Sequence, residues 1–159
     1  MKKYTNISDI KNIPKIIQEA IQLKQNPYQF EKLGQHKTLV MLFFNSSLRT
    51  RLSTEKAAKN LGMKVMVLNV NDAWELEFDD GIIMNLNRSE HVKEAVQVIS
   101  LYTDIIALRA FPSLKDKQKD ESEVVLNSFV KYAFVPVVNM ESSTAHPLQA
   151  LTDAITIEE

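Results

Sequence analysis

The 159 residues include no cysteine, which excludes disulfides, thiolate metal ligands and a thiol nucleophile within this chain. Glycine is scarce, at three residues, and neither G-x-G-x-x-G nor G-x-x-x-x-G-K-[ST] occurs, so the usual nucleotide-cradling loops are absent. No apolar run approaches the ~18 residues of a membrane span. The opening M-K-K-Y-T-N-I-S-D lacks the apolar centre of a signal peptide. Charge is balanced at a net −1, so no global basic field argues for nucleic acid or an acidic membrane as partner. Any anion site must come from local placement of charge. With 45% apolar and 25% charged residues, no repeat and no low-complexity tract, the expectation is one soluble, cytoplasmic domain.

What is present alternates. Ile13, Ile16, Ile17, Ala20 and Ile21 recur at helical spacing, with Pro14 suited to a first turn and an end near Gln25. T-L-V-M-L-F-F (38–44) is a short apolar run, as expected of a strand buried on both faces. Leu48, Leu52, Ala58 and Leu61 predict a helix stopped by Gly62. K-V-M-V-L-N-V (64–70) reads as a second strand, followed by a long irregular segment over 71–89. Val92, Ala95, Val96 and Ile99 predict a helix, D-I-I-A-L-R-A (104–110) a third strand, and 114–121 a polar loop. A helix over Val124, Val125, Phe129 and Tyr132, a fourth strand V-P-V-V-N-M-E (135–141) and a helix from Leu148 to about Ile157 complete the chain. This order predicts an α/β fold: a four-stranded, mainly parallel sheet with helices on both faces in three layers. In such a sheet the strand C-termini share one edge, and ligands bind in the crevice there.

That edge gathers Ser46, Ser47, Arg49, Thr50 and Arg51 after the first strand and Trp74 after the second. Arg109 closes the third strand, and Glu141, Ser142, Ser143, Thr144, His146 and Gln149 follow the fourth. A helix N-terminus offers unpaired N–H groups and a positive dipole end that suit a phosphate. Ser47 and Thr50 add hydroxyls, and Arg49 adds a fork that matches phosphate geometry. Each residue also has a plain structural reading. Asn45, Ser46 or Ser47 can simply cap the helix, and Arg49, Arg51 and Arg109 can be solvated. His146-Pro147 can be a turn, and Trp74 can be packing. His36 and His91 read as incidental. The convergence of these residues on one edge favours a small phosphorylated ligand.

S-L-R-T-R (47–51) resembles the S-T-R-T-R carbamoyl-phosphate signature of aspartate and ornithine carbamoyltransferases. H-P-L-Q (146–149) resembles the second signature of that family, with Arg109 fittingly spaced between. Leu48 in place of threonine, with F-F-N-S before it and D-A-W-E-L-E (72–77) after it, is similar to the branch acting on N-acylated ornithine. The similarity extends over essentially the whole chain. It implies that residues 1–159 form the carbamoyl-phosphate-binding domain and that the C-terminal ornithine-binding domain is absent from this chain.

By position, the resemblance assigns carbamoyl-phosphate binding to Ser47, Leu48, Arg49, Thr50, Trp74, Arg109, His146, Pro147, Leu148 and Gln149. Arg109, His146 and Gln149 polarise the carbamoyl oxygen, and Trp74 reaches a neighbouring subunit's site within a homotrimer. Glu141 meets the acylornithine. Ser89, in N-L-N-R-S-E-H (85–91), occupies the acyl-specificity loop where the succinyl type has proline and the acetyl type glutamate. Ala145 stands where arginine is expected. The implied reaction transfers a carbamoyl group from carbamoyl phosphate to the δ-amine of an N-acylornithine, succinyl favoured over acetyl. The products are N-acylcitrulline and phosphate, in arginine biosynthesis. The substrate supplies the nucleophile, so no cofactor or metal is required. The competing expectation is a non-catalytic α/β module that binds a phosphorylated ligand or self-associates. A receiver-like domain would need acidic residues after the first strand, where N-S-S stands instead.

Overall fold

The computed structural model describes residues 2–70, 74–79, 81 and 89–159. In chain order the elements are β1 (Lys3–Tyr4), α1 (Ile13–Gln25), β2 (Thr38–Phe43), α2 (Arg49–Asn60), β3 (Lys64–Asn69), β4 (Leu76–Glu77), β5 (Glu90–His91), α3 (Val92–Tyr102), β6 (Ile105–Arg109), α4 (Lys117–Glu121), α5 (Val124–Tyr132), β7 (Val137–Glu141) and α6 (Pro147–Glu158). Five strands form one sheet in the order β1-β7-β6-β2-β3, with every pairing parallel. β4 and β5 pair with each other.

The α/β expectation therefore holds with a correction: the main sheet has five strands, not four. The added strand, β1, is two residues long and lies beside β7, with Lys3 opposite Val137 and Tyr4 opposite Val138. A run that short carries no readable periodicity. The expected polar loop over 114–121 contains α4, which is capped by Asp116 accepting from Lys119 N–H and lacks an apolar stripe that would have announced it. β7 begins at Val137 rather than Val135. Most of the expected irregular segment over 71–89 lies outside the described residues; within it, Leu76 and Glu77 form β4.

The central strands are apolar throughout because both faces are covered. Val40, Leu42, Ile106, Leu108 and Val137 meet Val92, Ala95, Val96 and Ile99 of α3 and Leu126 and Phe129 of α5 on one face. Leu39, Met41, Phe43, Ala107 and Met140 face the other way, toward Ala58 of α2 and Leu148 of α6. The period of two along each strand sends alternate side chains to opposite layers. Phe129 is fully buried, and truncating such a phenylalanine to alanine costs about 3–5 kcal/mol. After α2, Gly62 takes a positive φ of 79°, and a Cβ there would run into the Glu31 carbonyl. That is why the helix stops where the sequence said it would.

The chain leaves β2 for β3 on one side and returns to place β6 on the other. This reversal opens a crevice beyond the C-termini of β2 and β6. Register fixes what lines it. Phe43 lies opposite Arg109, and Arg109 opposite Glu141, with an irregularity between Leu108 and Arg109 that inserts Met140 on the β7 side. Bulges of this kind re-aim side chains at strand ends.

Candidate functional site

A cleft of about 980 Å³ opens on this edge. It is lined from β2–α2 by Ser46, Ser47, Leu48, Arg49 and Thr50, and from the opposite wall by Arg109, Glu141, His146, Leu148 and Gln149. The structure thus brings together most of the residues singled out in the sequence.

On the α2 side, the simple capping reading does not hold. The helix is flanked by Leu48, and among the described residues no side chain caps its first N–H groups. Asn45 turns away, its Oδ1 accepting from Phe111 N–H at 2.7 Å. The first turn of α2 therefore presents backbone donors and the positive end of its dipole to the cleft. Arg49 forms no hydrogen bond or ion pair among the described residues and lines the same cleft, so its guanidinium is available. Arg51 is different. It stacks on Phe43, 4.4 Å from the ring centroid, and its Nη2 donates to Asn69 Oδ1 at 2.6 Å. Arg51 is a packing residue facing β3, so the two arginines of one short motif have separate tasks.

Arg109 is nearly buried, at 7% exposure, and is held on three sides. Its Nε donates to Glu141 Oε2 at 3.2 Å, its Nη1 donates to the Ser46 carbonyl at 2.7 Å, and its Cζ lies 3.8 Å from the Phe111 ring centroid. Nη2 makes no protein hydrogen bond among the described residues, which leaves one edge of the fork for a ligand. Glu141 Oε2 also lies 3.7 Å from His146 Nε2, so one carboxylate faces both the guanidinium and the imidazole. His146 caps α6: its Nδ1 accepts from Gln149 N–H at 3.3 Å. That bond puts the neutral ring's proton on Nε2, the nitrogen toward the cleft.

Other expected residues sit differently. Pro147 is buried at the start of α6 and its carbonyl accepts from Tyr4 Oη at 3.0 Å, a structural contact made by the strand the sequence concealed. Burial, then the charge of Asp9, pushes the Tyr4 hydroxyl's pKa up, which keeps it a donor. Gln149 lines the cleft, but its Nε2 donates along the helix to Asp153 at 2.7 Å, leaving the amide oxygen as its free end. Trp74 is outside the cleft; it packs against the core, and its indole N–H donates to Glu90 at 3.1 Å. Ser89 is exposed, with its N–H on the Glu75 carbonyl, while residues 85–88 of the same loop lie outside the described residues. His91, read as incidental, caps α3 by accepting from Lys93 N–H. The sequence reading missed Phe111 and the Ser46 carbonyl, which lock Arg109. Phe111 follows the arginine by two residues, but nothing in a linear pattern announces a stacking partner.

Among the described residues no helix is long and apolar enough to cross a membrane. Comparison with known proteins agrees with the geometry. Residues 2–159 match the family described as aspartate/ornithine carbamoyltransferase, carbamoyl-P binding domain. The chain is 49% identical to an N-succinylornithine carbamoyltransferase of Bacteroides thetaiotaomicron, over all of this chain and 50% of that protein. It is 39% identical to an N-acetylornithine carbamoyltransferase of Xanthomonas campestris pv. campestris, over all of this chain and 47% of that protein. A crystal structure of an N-acetyl-L-ornithine transcarbamylase mutant, glutamate replaced by serine at one site, holds carbamyl phosphate and N-succinyl-L-norvaline. It superposes with a TM-score of 0.90 at 38% identity, over 99% of this chain and 48% of that one. The chain spans about half the length of the curated relatives it matches. With an uncapped helix facing a buried arginine across a cleft, and a matching sequence from residue 2 onward, this chain belongs to the aspartate/ornithine carbamoyltransferase family, in the part that forms its carbamoyl-phosphate-binding domain.

Proposed function

We propose that the cleft binds carbamoyl phosphate and supplies that half of the active site of an N-acylornithine carbamoyltransferase. The observation that carries this reading is the division of the cleft into two walls. One wall, the open N-terminus of α2 with Arg49 and the hydroxyls of Ser47 and Thr50, suits a phosphate. The other, Arg109 and His146 set about Glu141, suits a carbonyl oxygen on which negative charge develops.

In the reaction, the neutral δ-amine of the acceptor attacks the carbamoyl carbon and the carbonyl oxygen takes up charge. The C–O bond to phosphate then breaks as the amine's excess proton passes to the departing phosphate. Arg109 Nη2 and His146 Nε2–H stabilise the oxygen, while Arg49 and the α2 N–H groups receive the charge that builds on the leaving phosphate. Glu141 keeps the guanidinium and imidazole aligned, and its proximity to both leaves it available to the incoming amine side of the acceptor. The protein contributes orientation and preorganised charge rather than a nucleophile. A second domain supplies the remainder of the acceptor site, and Trp74 contributes to a neighbouring subunit's cleft in a homotrimer.

The favoured acceptor is N-succinylornithine. The support is the higher identity to the succinyl-type relative than to the acetyl-type one, and Ser89 in place of the acetyl type's glutamate. A glutamate-to-serine mutant of an acetylornithine enzyme holding an N-succinyl ligand is consistent with the same electrostatic logic. Removing a carboxylate removes its repulsion of the succinyl carboxylate.

The test is calorimetry of the chain with carbamoyl phosphate, and a colorimetric citrulline assay with succinyl- and acetyl-ornithine on a protein carrying both domains. Binding by the chain, with product from succinylornithine in the two-domain protein, is expected. Absence of binding overturns the site, and product from acetylornithine alone overturns the acyl assignment.

A further inference from the structure

Glu123 lies outside every motif in the sequence and does not line the cleft, yet it organises one wall of it. It occupies the junction of α4 and α5 with a left-handed backbone, φ 51° and ψ 39°, a conformation that non-glycine residues adopt sparingly. Its carboxylate points at the loop of residues 142–145, which runs from Glu141 at the end of β7 to His146 at the start of α6. Oε1 accepts from Ser142 Oγ at 2.7 Å, Thr144 N–H at 2.8 Å and Thr144 Oγ1 at 2.7 Å, and Oε2 accepts from Ser143 N–H at 3.3 Å. On the far side, buried Asn139 donates through Nδ2 to Ser142 Oγ at 2.9 Å, the Ala145 carbonyl at 3.3 Å and the Thr5 carbonyl at 3.1 Å. Ser142 Oγ thus receives from Asn139 and gives to Glu123, which ties the loop to β7 and the residue after β1 on one side and to the start of α5 on the other. Three of its four residues bond directly to Glu123, and the fourth to Asn139.

We propose that Glu123 is a positioning residue for the carbamoyl wall: its carboxylate clamps residues 142–144 and thereby sets His146 relative to Glu141 and Arg109. The inference rests on the reading of the cleft as a carbamoyl-phosphate site. Glu123 touches no ligand. It acts through the loop, and only on the wall that the loop carries. The phosphate wall, built by α2, does not depend on it.

Glu123→Gly is the decisive variant, because glycine adopts the left-handed backbone freely while the carboxylate is lost with its side chain. Glu123→Gln is its control, because an amide oxygen can replace Oε1 and keep three of the four bonds. Carbamoyl phosphate and inorganic phosphate are titrated separately by calorimetry. Amide exchange of Ser143 and Thr144 and the His146 imidazole resonances are followed by NMR. Glu123→Gly is expected to weaken carbamoyl phosphate about tenfold or more while changing inorganic phosphate by less than about twofold, each lost hydrogen bond being worth up to a factor of about ten. The same variant speeds exchange at Ser143 and Thr144 and shifts the His146 signals, and Glu123→Gln restores all of these readouts most of the way.

Wild-type carbamoyl-phosphate affinity in the glycine variant, unmoved His146 signals, or a glutamine variant as impaired as glycine overturns the clamp. Should the glycine variant not fold, Ser142→Ala cuts the clamp from the loop side, with the same directions expected. If the unaltered chain binds neither ligand, the functional reading falls, while the exchange and imidazole measurements still decide whether Glu123 positions His146.

Discussion

The loops that follow β2 and β7 occupy equivalent places, each leading from a strand C-terminus into a helix at the same sheet edge, yet they are finished in opposite ways. After β2, the polar side chains are used elsewhere or left open. Asn45 serves Phe111, Arg51 serves Asn69 and Phe43, and α2 starts without a side-chain cap. After β7, each residue of the loop 142–145 has a hydrogen-bond partner. Glu123 and Asn139 hold the loop, and α6 is capped by His146 itself. A helix end left without a cap costs stability, on the order of 1 kcal/mol. Leaving α2 open is intelligible if an anion completes it, and fixing the second loop is intelligible if an imidazole must be held at a set angle. On the proposed function, one wall waits for charge and the other is preorganised to meet it.

Arg109 belongs to both walls, since it bonds the Ser46 carbonyl on one and Glu141 on the other. Arg109→Ala is therefore the largest perturbation available. It is expected to lower carbamoyl-transfer turnover in a two-domain protein by about 10²–10³, the usual effect of deleting an oxyanion donor. It also leaves the Glu141 carboxylate without its guanidinium, at a stability cost of about 2 kcal/mol. Urea unfolding beside the citrulline assay reads both. Near-normal turnover would break the assignment of this arginine, and an unchanged unfolding midpoint would break its structural part.

Ser47→Asp sharpens the contrast between the loops by making the first resemble the second. Leu48 already has helical dihedrals, φ −95° and ψ −60°, so residue 47 is one step outside the helix, where a carboxylate reaches the first N–H groups. The substitution supplies the missing cap and a charge that suits the dipole, and is expected to stabilise the fold by about 0.5–1 kcal/mol. The same carboxylate occupies and repels the phosphate position, so carbamoyl-phosphate affinity should fall by more than about tenfold. Opposite signs in a thermal melt and a ligand titration are the signature of an end kept open for an anion. Two changes of the same sign would refute it.

The two walls were also unequally legible in the sequence. The phosphate wall is nearly linear: S-L-R-T-R follows an apolar strand, and one helix start carries Ser47, Arg49 and Thr50 within four residues. The α/β class was equally readable, because strands buried on both faces leave apolar runs that helices with a 3.6 period separate. The carbamoyl wall is assembled from distance. Arg109, Glu141 and His146 were recognisable as candidates, but Glu123 was not, since it is one acid in the polar stretch D-K-Q-K-D-E-S-E and its role depends on a left-handed turn. β1 escaped for a different reason. Two residues cannot show a period, and Lys3–Tyr4 becomes a strand only because β7 offers an edge. Asn45 suits a helix cap by residue type, but its partner, Phe111 N–H, lies on another strand's exit.

β1 also supplies the smallest and most specific test of how the second wall is anchored. Tyr4 bonds the Pro147 carbonyl and the carbonyl of Thr5, just after the strand, receives Asn139, so the first turn of α6 and its loop both lean on this edge of the sheet. The strand is in turn fastened by Asp9, whose Oδ2 accepts from Thr5 N–H at 2.8 Å, Thr5 Oγ1 at 3.0 Å and Asn6 N–H at 3.1 Å. Burial alone would raise the Asp9 pKa, but the Thr5 and Asn6 bonds and the nearby Lys3 outweigh it and hold the carboxyl below its ordinary value. A carboxyl depressed on folding contributes stability above its unfolded pKa and loses that contribution as pH falls through the lower, folded value. Asp9→Ala should accordingly lower the melting temperature by about 2–4 °C at neutral pH. The gap to the unaltered protein should narrow as pH falls through and below the ordinary carboxylate range, and vanish once Asp9 is protonated in both states. The carbamoyl wall should loosen with it, seen as faster amide exchange at Ser142, while α2 is untouched. A gap that stays constant across that acid range would mean that Asp9 is not ionised for this purpose, and equal loosening at Thr50 would mean that β1 does not anchor one wall in particular.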